Sequence, residues 1–511
     1  MALLSASALA CGDDAPAPSA ATPDASNDVG GNDLAPANAD APVDGGGADA
    51  VVDLDAAVTG TSVSTVAGVS GTESRPRDLS RYVVGAWTGT AQADYRLGWG
   101  TSEGTFVVPN VPPGPFTLDV RSSATASSTA IAASDLRRFD LGSEFFGHPD
   151  RLGTRPASAP GTAIELAATN LQPWRASDQL RVETDVGLSH TFSSNQTEGA
   201  TTQSWLLTYG SALDGPGRGH ELQVKQWRAT LLPSGGWLRT ACSGVVTQMA
   251  ATREGQTTKL ALALAPLPAD ELIKVDVRRS QFLKHLAAMS PGGAQPTVSV
   301  TAQRFPPGLM DADSLGPTDA LIEVPPGNGD VLIEGAGTTL SPKAWSRSLD
   351  VRVEFPISIT VPGSLAPLVA VSVMRIEDEA ERLQSAPVVP LLGPVRALSV
   401  EGRAAAADQV LLGVGLRPAI SWSPPELGRP SLYEISVRRI DVRVERSTEV
   451  VVAVINTEGT TAIIPGNTLE PGHWYRLVVR AINSERRRAA SPHRESRPLV
   501  TTSIFSGRFT P

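Results

Sequence analysis

Short runs of alternating apolar and polar residues constrain the fold of this chain more than any other feature. Successive side chains of a β-strand point to opposite faces, so such runs indicate strands with one buried face. The clearest runs occupy residues 179–184, 221–227, 259–264, 297–300 and 349–355. Glycine and proline, which favour turns, separate the runs. The pattern predicts an all-β protein of tandem antiparallel β-sandwich domains behind an N-terminal tether.

The tether is predicted for residues 11–60, which consist mainly of Ala, Asp, Pro and Gly. Such a segment has too little apolar surface to offset its chain entropy, so we expect it to be disordered. Its ten aspartates equal the whole net charge of −10, which leaves the rest of the chain close to neutral. Because nucleic-acid binding needs a basic surface, we expect no nucleic-acid partner.

Residues 1–10 are signal peptide-like, because an apolar run ends in small residues directly before Cys11 and Gly12. The stretch resembles the signal and lipobox of bacterial lipoproteins, although Ala8 stands where that family prefers Leu, Val or Ile. The resemblance implies cleavage before Cys11, lipidation of Cys11 and attachment to a membrane through that lipid. It also implies an outer-membrane lipoprotein of a Gram-negative cell envelope. The surface and the periplasm both remain open as the location of the body.

Residues 104–120 predict a β-hairpin with one buried face. Phe106 and Val108 alternate before a Pro-Pro-Gly turn, and Phe116, Leu118 and Val120 alternate after it. The segment resembles the hairpin of carboxypeptidase-regulatory-like, transthyretin-type sandwiches. The resemblance implies such a domain over residues 61–121, without an active site.

Residues 396–511 resemble a fibronectin type III domain. The residues that carry the resemblance are Trp422, Tyr433, Leu469, Pro471, Gly472 and Tyr475. They match the strand-B tryptophan, the strand-C tyrosine and the tyrosine corner of that family. The corner implies a hydrogen bond from the Tyr475 hydroxyl to the backbone of its loop. The charged stretch 438–446 either extends strand C or forms an edge hairpin.

Residues 122–395 predict one or two further sandwich domains. Segments 280–289, with Ser280 as N-cap, and 377–383 have the patterns of short helices. The acidic residues at 377–381 are typical of a solvated face. The six histidines lack metal-ligand spacing, and Cys242 is expected to be a small buried residue. We therefore predict no metal, no cofactor and no catalytic residue.

One local feature suggests ligand contact. Five residues lie in the loop after strand F, where related domains often bind partners: Arg486, Arg487, Arg488, His493 and Arg494. One hypothesis is a cationic contact to anionic envelope glycan or lipopolysaccharide. The alternative is a solvated loop that the arginines keep soluble.

The sequence as a whole favours a lipid-anchored envelope protein that acts as a non-enzymatic binding, adhesion or scaffold module. Its partner would be an envelope glycan or another protein. The alternative is a carbohydrate-active or other hydrolase with an unrecognised site in residues 122–395 and accessory β domains.

Overall fold

The computed structural model describes residues 56–511 apart from residues 69–70, 90–91, 122–127, 134–135, 147–161, 185–188, 194–196, 210–220, 249–254, 308, 310–317, 467 and 495. The predicted signal peptide, Cys11 and most of the predicted tether lie outside the described residues. The described residues cluster as one compact unit. The all-β prediction is confirmed for the described chain, which forms consecutive β-sandwiches. None of its described helices is long and apolar enough to cross a membrane.

The first sandwich, here called the N-terminal module, comprises the described part of residues 56–146. Its strands are β1 (Val58–Thr61), β2 (Val63–Gly68), β3 (Gly71–Pro76), β4 (Val83–Trp87), β5 (Tyr95–Leu97), β6 (Trp99–Gly100), β7 (Thr105–Val108), β8 (Phe116–Arg121), β9 (Ser128–Ala133), β10 (Arg138–Asp140) and β11 (Glu144–Phe146), with a 3₁₀ turn at Gln92–Asp94. Strands β10, β1, β7 and β6 form one sheet, and β5, β4, β8 and β9 belong to the sheet that faces it. Phe106, Leu118 and Ile131 pack in the core between them.

The hairpin predicted over residues 104–120 is wrong. Strand β7 pairs with β1 and β6, whereas β8 pairs with β4 and β9 in the other sheet. Phe106, Val108, Phe116 and Leu118 are buried, as the alternation indicated. The Pro-Pro-Gly segment therefore connects two facing sheets. Alternation identifies the buried face of a strand, but it does not show which strand is the neighbour. Two strands of one hairpin and two strands in facing sheets bury the same face against a core.

The second sandwich spans residues 162–264. Its strands are β12 (Thr162–Thr169), β13 (Gln179–Thr184), β14 (Ser189–Ser193), β15 (Gln203–Tyr209), β16 (Glu221–Leu231), β17 (Trp237–Gln248) and β18 (Thr257–Ala263). The sheet β15-β12-β18 faces β13, β14, β16 and β17, and Trp174 and Trp205 lie in the core between them. The run at 259–264 is a strand, but its predicted antiparallel pairing is wrong, because β18 pairs with β12 in parallel. The chain passes through the facing sheet between the two strands and returns in the same direction.

The third sandwich spans residues 265–388. It contains β19 (Ala265–Pro266), β20 (Glu271–Val277), β21 (Thr297–Phe305), β22 (Thr318–Val324), β23 (Val331–Gly337), β24 (Ser346–Ile359) and β25 (Leu368–Glu379), with helices α1 (Arg279–Phe282), α2 (Leu286–Met289) and α3 (Ala380–Ser385). The predicted helix at 280–289 is interrupted by a 3₁₀ turn at Leu283–His285. Arg278, not Ser280, is at its N-cap and makes no side-chain cap bond. The second predicted helix begins only at Ala380, because β25 continues to Glu379.

The fourth sandwich, the C-terminal module, spans residues 396–511. Its strands are β26 (Arg396–Val400), β27 (Arg403–Ala404), β28 (Val410–Leu411), β29 (Ala419–Ser423), β30 (Leu432–Asp441), β31 (Thr448–Thr457), β32 (Thr461–Ile463), β33 (Trp474–Asn483) and β34 (Leu499–Phe509). The sheet β27-β26-β29-β32 faces the sheet β31-β30-β33-β34. Strand β30 continues to Asp441, so the first half of the charged stretch 438–446 extends strand C.

The predicted core and corner residues hold the two sheets of the C-terminal module together. Trp422 on β29 meets Tyr433 on β30, with ring centroids 5.2 Å apart. The fully buried Tyr475 accepts a hydrogen bond on its hydroxyl from the Glu470 N–H at 2.8 Å. Gly472, in the turn between them, has a φ of +85°, which a residue with a side chain rarely adopts. The strand order and this corner make the module a fibronectin type III-like β-sandwich.

Both edges of the β31-β30-β33-β34 sheet are occupied by strands from other sandwiches. At one edge, β31 pairs in parallel with β9 of the N-terminal module, from Ala453 opposite Ser128 to Thr457 opposite Ala132. At the other edge, the start of β34 pairs with β25 of the third sandwich, and its end pairs in parallel with β28 of its own module. Hydrogen bonds between strands therefore run from the N-terminal module through the C-terminal module into the third sandwich.

Candidate functional site

Two of the five predicted ligand-contact residues, Arg486 and Arg494, bind the N-terminal module. Arg486 contacts the Glu144 carboxylate through both terminal nitrogens, with Nη2 at 2.5 Å from Oε1 and Nη1 at 3.2 Å from Oε2. Arg494 lies 3.4 Å from the same Oε1, donates to Asp140 at 3.0 Å and donates to the Val63 carbonyl at 2.8 Å. Their charges are therefore neutralised within the protein.

Arg487 and His493 face inwards in the same loop. Arg487 is buried and pairs with Glu434 on β30. Burial, reinforced by the nearby Arg487 charge, lowers the pKa of His493 to about 4, so the imidazole is neutral at pH 7. Arg488 is exposed, and its guanidinium is the group of the five that faces solvent most fully. The loop thus joins the two modules through Arg486 and Arg494, turns Arg487 and His493 inwards, and presents Arg488 outwards.

A second charged cluster joins the C-terminal module to the third sandwich. Glu377 on β25 is 1% exposed and binds Arg375 at 2.6 Å and Arg497 at 2.8 Å. The prediction of a solvated acidic face is wrong at this position. Charge patterning could not show that Arg497, which lies 120 residues away, covers the carboxylate. Burial raises the pKa of Glu377 against the attraction of the two guanidinium groups.

A third buried cluster lies where the second and third sandwiches meet. Lys225 is 1% exposed and binds Glu183 at 2.6 Å and the Thr318 carbonyl at 3.2 Å. Burial raises the pKa of the neighbouring Asp319 to about 6, and Arg304 lies 3.2 Å from its carboxylate. These charged groups are covered by one another. No cluster of three or more metal-ligating side chains occurs in the part of the chain that the structure describes.

A cleft of about 800 Å³ lies between the N-terminal and C-terminal modules and is here called the intermodule cleft. Trp87 on β4, Phe116 on β8 and Leu136 line it from the N-terminal module. Ile420 on β29 and Arg417 line it from the C-terminal module. Clefts of roughly 300–1,000 Å³ between domains are typical sites for small molecules.

Arg417 is the distinctive residue of the intermodule cleft. Its guanidinium carbon lies 4.2 Å from the centroid of the Trp87 ring, which is within the range of a cation–π interaction. Its Nε and Nη1 are buried and have no hydrogen-bond partner in the protein. Burial lowers the pKa of Arg417, while the more distant Asp94 carboxylate opposes that shift. The cleft therefore combines apolar walls with hydrogen-bond donors that lack acceptors.

No sequence pattern indicated the intermodule cleft. Trp87 and Arg417 are far apart in the chain, and each has the local context of an ordinary core or loop residue. They meet because β9 of the N-terminal module pairs with β31 of the C-terminal module. A pairing between such distant strands leaves no local pattern that a single sequence could show.

Comparison with known proteins does not assign the chain to a family. No protein-family model matches the chain, and no curated protein matches it. Among solved structures, the crystal structure of chicken CNTN1 FN1-FN3 domains matches with 11% sequence identity, over 88% of this chain and 95% of that chain. The TM-score is 0.13, which is too low to indicate a shared fold. The fibronectin type III-like description of the C-terminal module rests on its strand order and its tyrosine corner.

Proposed function

We propose that this protein is a non-enzymatic binding or scaffold module of a bacterial cell envelope, held at the outer membrane by a lipid on Cys11. Residues 11–60 would act as the tether between membrane and body. We also propose that the N-terminal module is related to carboxypeptidase-regulatory-like sandwiches. The partner in this proposal is an envelope glycan or another protein.

The occupied edges of the C-terminal sheet support the scaffold proposal. Strand pairing at both edges fixes the module against its two neighbours, whereas modules joined only by linkers reorient freely. Arg486 and Arg494 reinforce one junction, and Arg497 reinforces the other. A body of this kind holds its binding surfaces at fixed separations, as a scaffold requires.

The buried carboxylates of residues 122–395 favour the non-enzymatic class over the hydrolase alternative. A hydrolytic acid or base must lie within hydrogen-bond reach of its substrate. Asp319 and Glu377, whose pKa values burial raises, are each 1% exposed and contact arginines. Burial inside the fold raises both pKa values while the neighbouring arginines oppose the rise, so neither shift requires an active site.

Protease treatment of intact cells, followed by a blot for the C-terminal module, tests the anchored location. A Cys11→Ser strain provides the comparison. We expect the wild-type protein to stay with the membrane and the Cys11→Ser protein to be released. Loss of the wild-type signal after protease treatment of intact cells would place the body outside the cell. Equal fractionation of the two proteins would contradict the lipid anchor. Turnover of any member of a polysaccharide panel by the purified body would contradict the non-enzymatic class.

The glycan contact is best tested at Arg488. Arg486 and Arg487 hold the fold, so their replacement would confuse ligand binding with stability. Arg488→Ser is expected to weaken retention on lipopolysaccharide or cell-wall polymer at low salt, because exposed charge attracts polyanions most strongly there. Arg443→Ser, an exposed arginine in the turn after β30, is the matched control. Equal retention of both variants and the wild type would remove the glycan contact from the proposal.

A further inference from the structure

The unpaired donors of Arg417 require an explanation within the fold. Buried polar groups in native proteins almost always have a hydrogen-bond partner, and a buried charge without one is costly. The Trp87 ring interacts with the face of the Arg417 guanidinium and offsets part of the cost of burying its charge. The Nε–H and Nη1–H groups still lack acceptors. An acceptor from outside the chain would satisfy them.

The other charged groups around the intermodule cleft already have partners. The Glu458 carboxylate accepts a hydrogen bond from the Ala489 N–H at 2.9 Å. Arg121 donates three hydrogen bonds to Asp119 and one to the Gly466 carbonyl at 3.2 Å. Arg417 is therefore a charged group of the cleft lining whose donors remain available to a ligand, and the Trp87 Nε1–H beside it is also buried without a partner.

The walls of the intermodule cleft define the rest of the ligand. Trp87, Phe116 and Ile420 are each almost fully covered by the protein, so they form the apolar floor of the cleft and present little free surface. The half-exposed Ala133 and Leu136 supply apolar surface that a ligand can reach. A ligand that fits them has a flat or branched apolar body of drug-like size.

We propose that the intermodule cleft binds a small molecule with an apolar, ring-containing body and one anionic group, carboxylate, sulfonate or phosphate, which accepts hydrogen bonds from Arg417. This proposal rests on the proposed binding function and adds a ligand class to it. It does not depend on the lipid anchor. The site also gives the junction of the two modules a role, since both modules supply walls and the C-terminal module supplies the charge. A ligand held there would stabilise the pairing of β9 with β31, because the ligand binds only the joined form.

The test uses the fluorescent anion 8-anilinonaphthalene-1-sulfonate and its uncharged relative N-phenyl-1-naphthylamine on the full chain. Wild type is expected to bind the anion at one site per chain. Arg417→Gln is expected to weaken the affinity for the anion by about 10- to 100-fold, the range for hydrogen bonds to a charged group. Its affinity for the neutral probe should change by less than about threefold. Arg417→Lys keeps the charge, so its affinity for the anion is expected to lie between those of wild type and Arg417→Gln.

A second variant separates ligand binding from folding. Ala133 lies on β9 at the wall of the cleft, and Ala133→Trp fills part of the cleft with a large side chain without removing Arg417. The variant is expected to weaken the affinity for both probes. Thermal unfolding identifies any variant that has lost its fold. Equal affinity of wild type and Arg417→Gln for the anion, or no saturable binding to wild type, would overturn the proposal. Such a failure would leave the anchoring and scaffold experiments unaffected.

Discussion

Glu144→Gln should destabilise the protein more than any exposed charge substitution does, because one carboxylate holds two arginines of the loop after β33. The change keeps the size of the side chain and one hydrogen-bond acceptor but removes the negative charge. Glu144 is 8% exposed, and it contacts Arg486 and Arg494 across the junction between the N-terminal and C-terminal modules. The variant therefore removes the shared counter-ion of two partly buried guanidinium groups, of which Arg494 keeps its contact with Asp140 at 3.0 Å.

The magnitude follows from burial and distance. A charge pair near 3 Å attracts by about 5 kcal/mol at an effective dielectric constant of ~20, and desolvation of both groups offsets much of that. Removal of one partner of a buried pair usually costs about 3–5 kcal/mol. The Arg486 side chain retains 32% exposure, so water solvates part of the charge that is left. We expect Glu144→Gln to lower the free energy of unfolding by about 2–3 kcal/mol.

Urea unfolding followed by tryptophan fluorescence measures this change without adding salt. Glu426→Gln is the matched control, because Glu426 pairs with Arg396 in the C-terminal module but keeps 74% side-chain exposure. Exposed pairs contribute less than about 1 kcal/mol, so the control should lie close to wild type. If Glu144→Gln and Glu426→Gln unfold at the same urea concentration, the junction does not depend on this carboxylate.

Three further predictions concern the C-terminal module and the lone described thiol. Tyr475→Phe should cost about 1–3 kcal/mol, because the Glu470 N–H loses its acceptor, and urea unfolding measures the change. The folded protein holds fewer protons on His493 than the unfolded chain does between pH 4 and 6.5, so acidification through that window should remove up to about 3 kcal/mol of stability. Thermal melts at pH 7 and 5 should show a smaller drop for His493→Gln than for wild type. Burial raises the pKa of Cys242 to about 11, so iodoacetamide at pH 8 should alkylate native protein far more slowly than urea-unfolded protein. Cys242 was expected to be buried but is only partly so, and equal rates would contradict even that partial burial of its thiol.

Local sequence patterns predicted the strands and the C-terminal module well. The tyrosine corner depends on residues within a few positions of one another, so its spacing alone identified Leu469, Tyr475 and the turn between them. Alternation likewise identified Phe106 and Leu118 as buried. Both features arise from the geometry of one strand or one turn, which the neighbouring residues determine.

Pairing between distant strands could not be predicted in the same way. Alternation does not distinguish the hairpin expected at residues 104–120 from two strands in facing sheets. Nor does it show that β9 adds to the edge of β31. The arginines after β33 looked like an exposed cationic surface because the sequence does not show that Glu144 and Glu434 lie opposite them. The intermodule cleft was missed for the same reason, since it exists only where the two modules meet.

The joining of the modules into one body is tested most directly by hydrogen–deuterium exchange at the junction of β9 with β31. If the parallel pairing holds, the amides of residues 128–132 and 453–457 exchange as slowly as those of β33 in the interior of the same sheet. Exchange at β9 and at the outer edge of β31 that is orders of magnitude faster than in β33 would show that the N-terminal module separates from the sheet. That result would contradict both the fixed scaffold and the intermodule cleft.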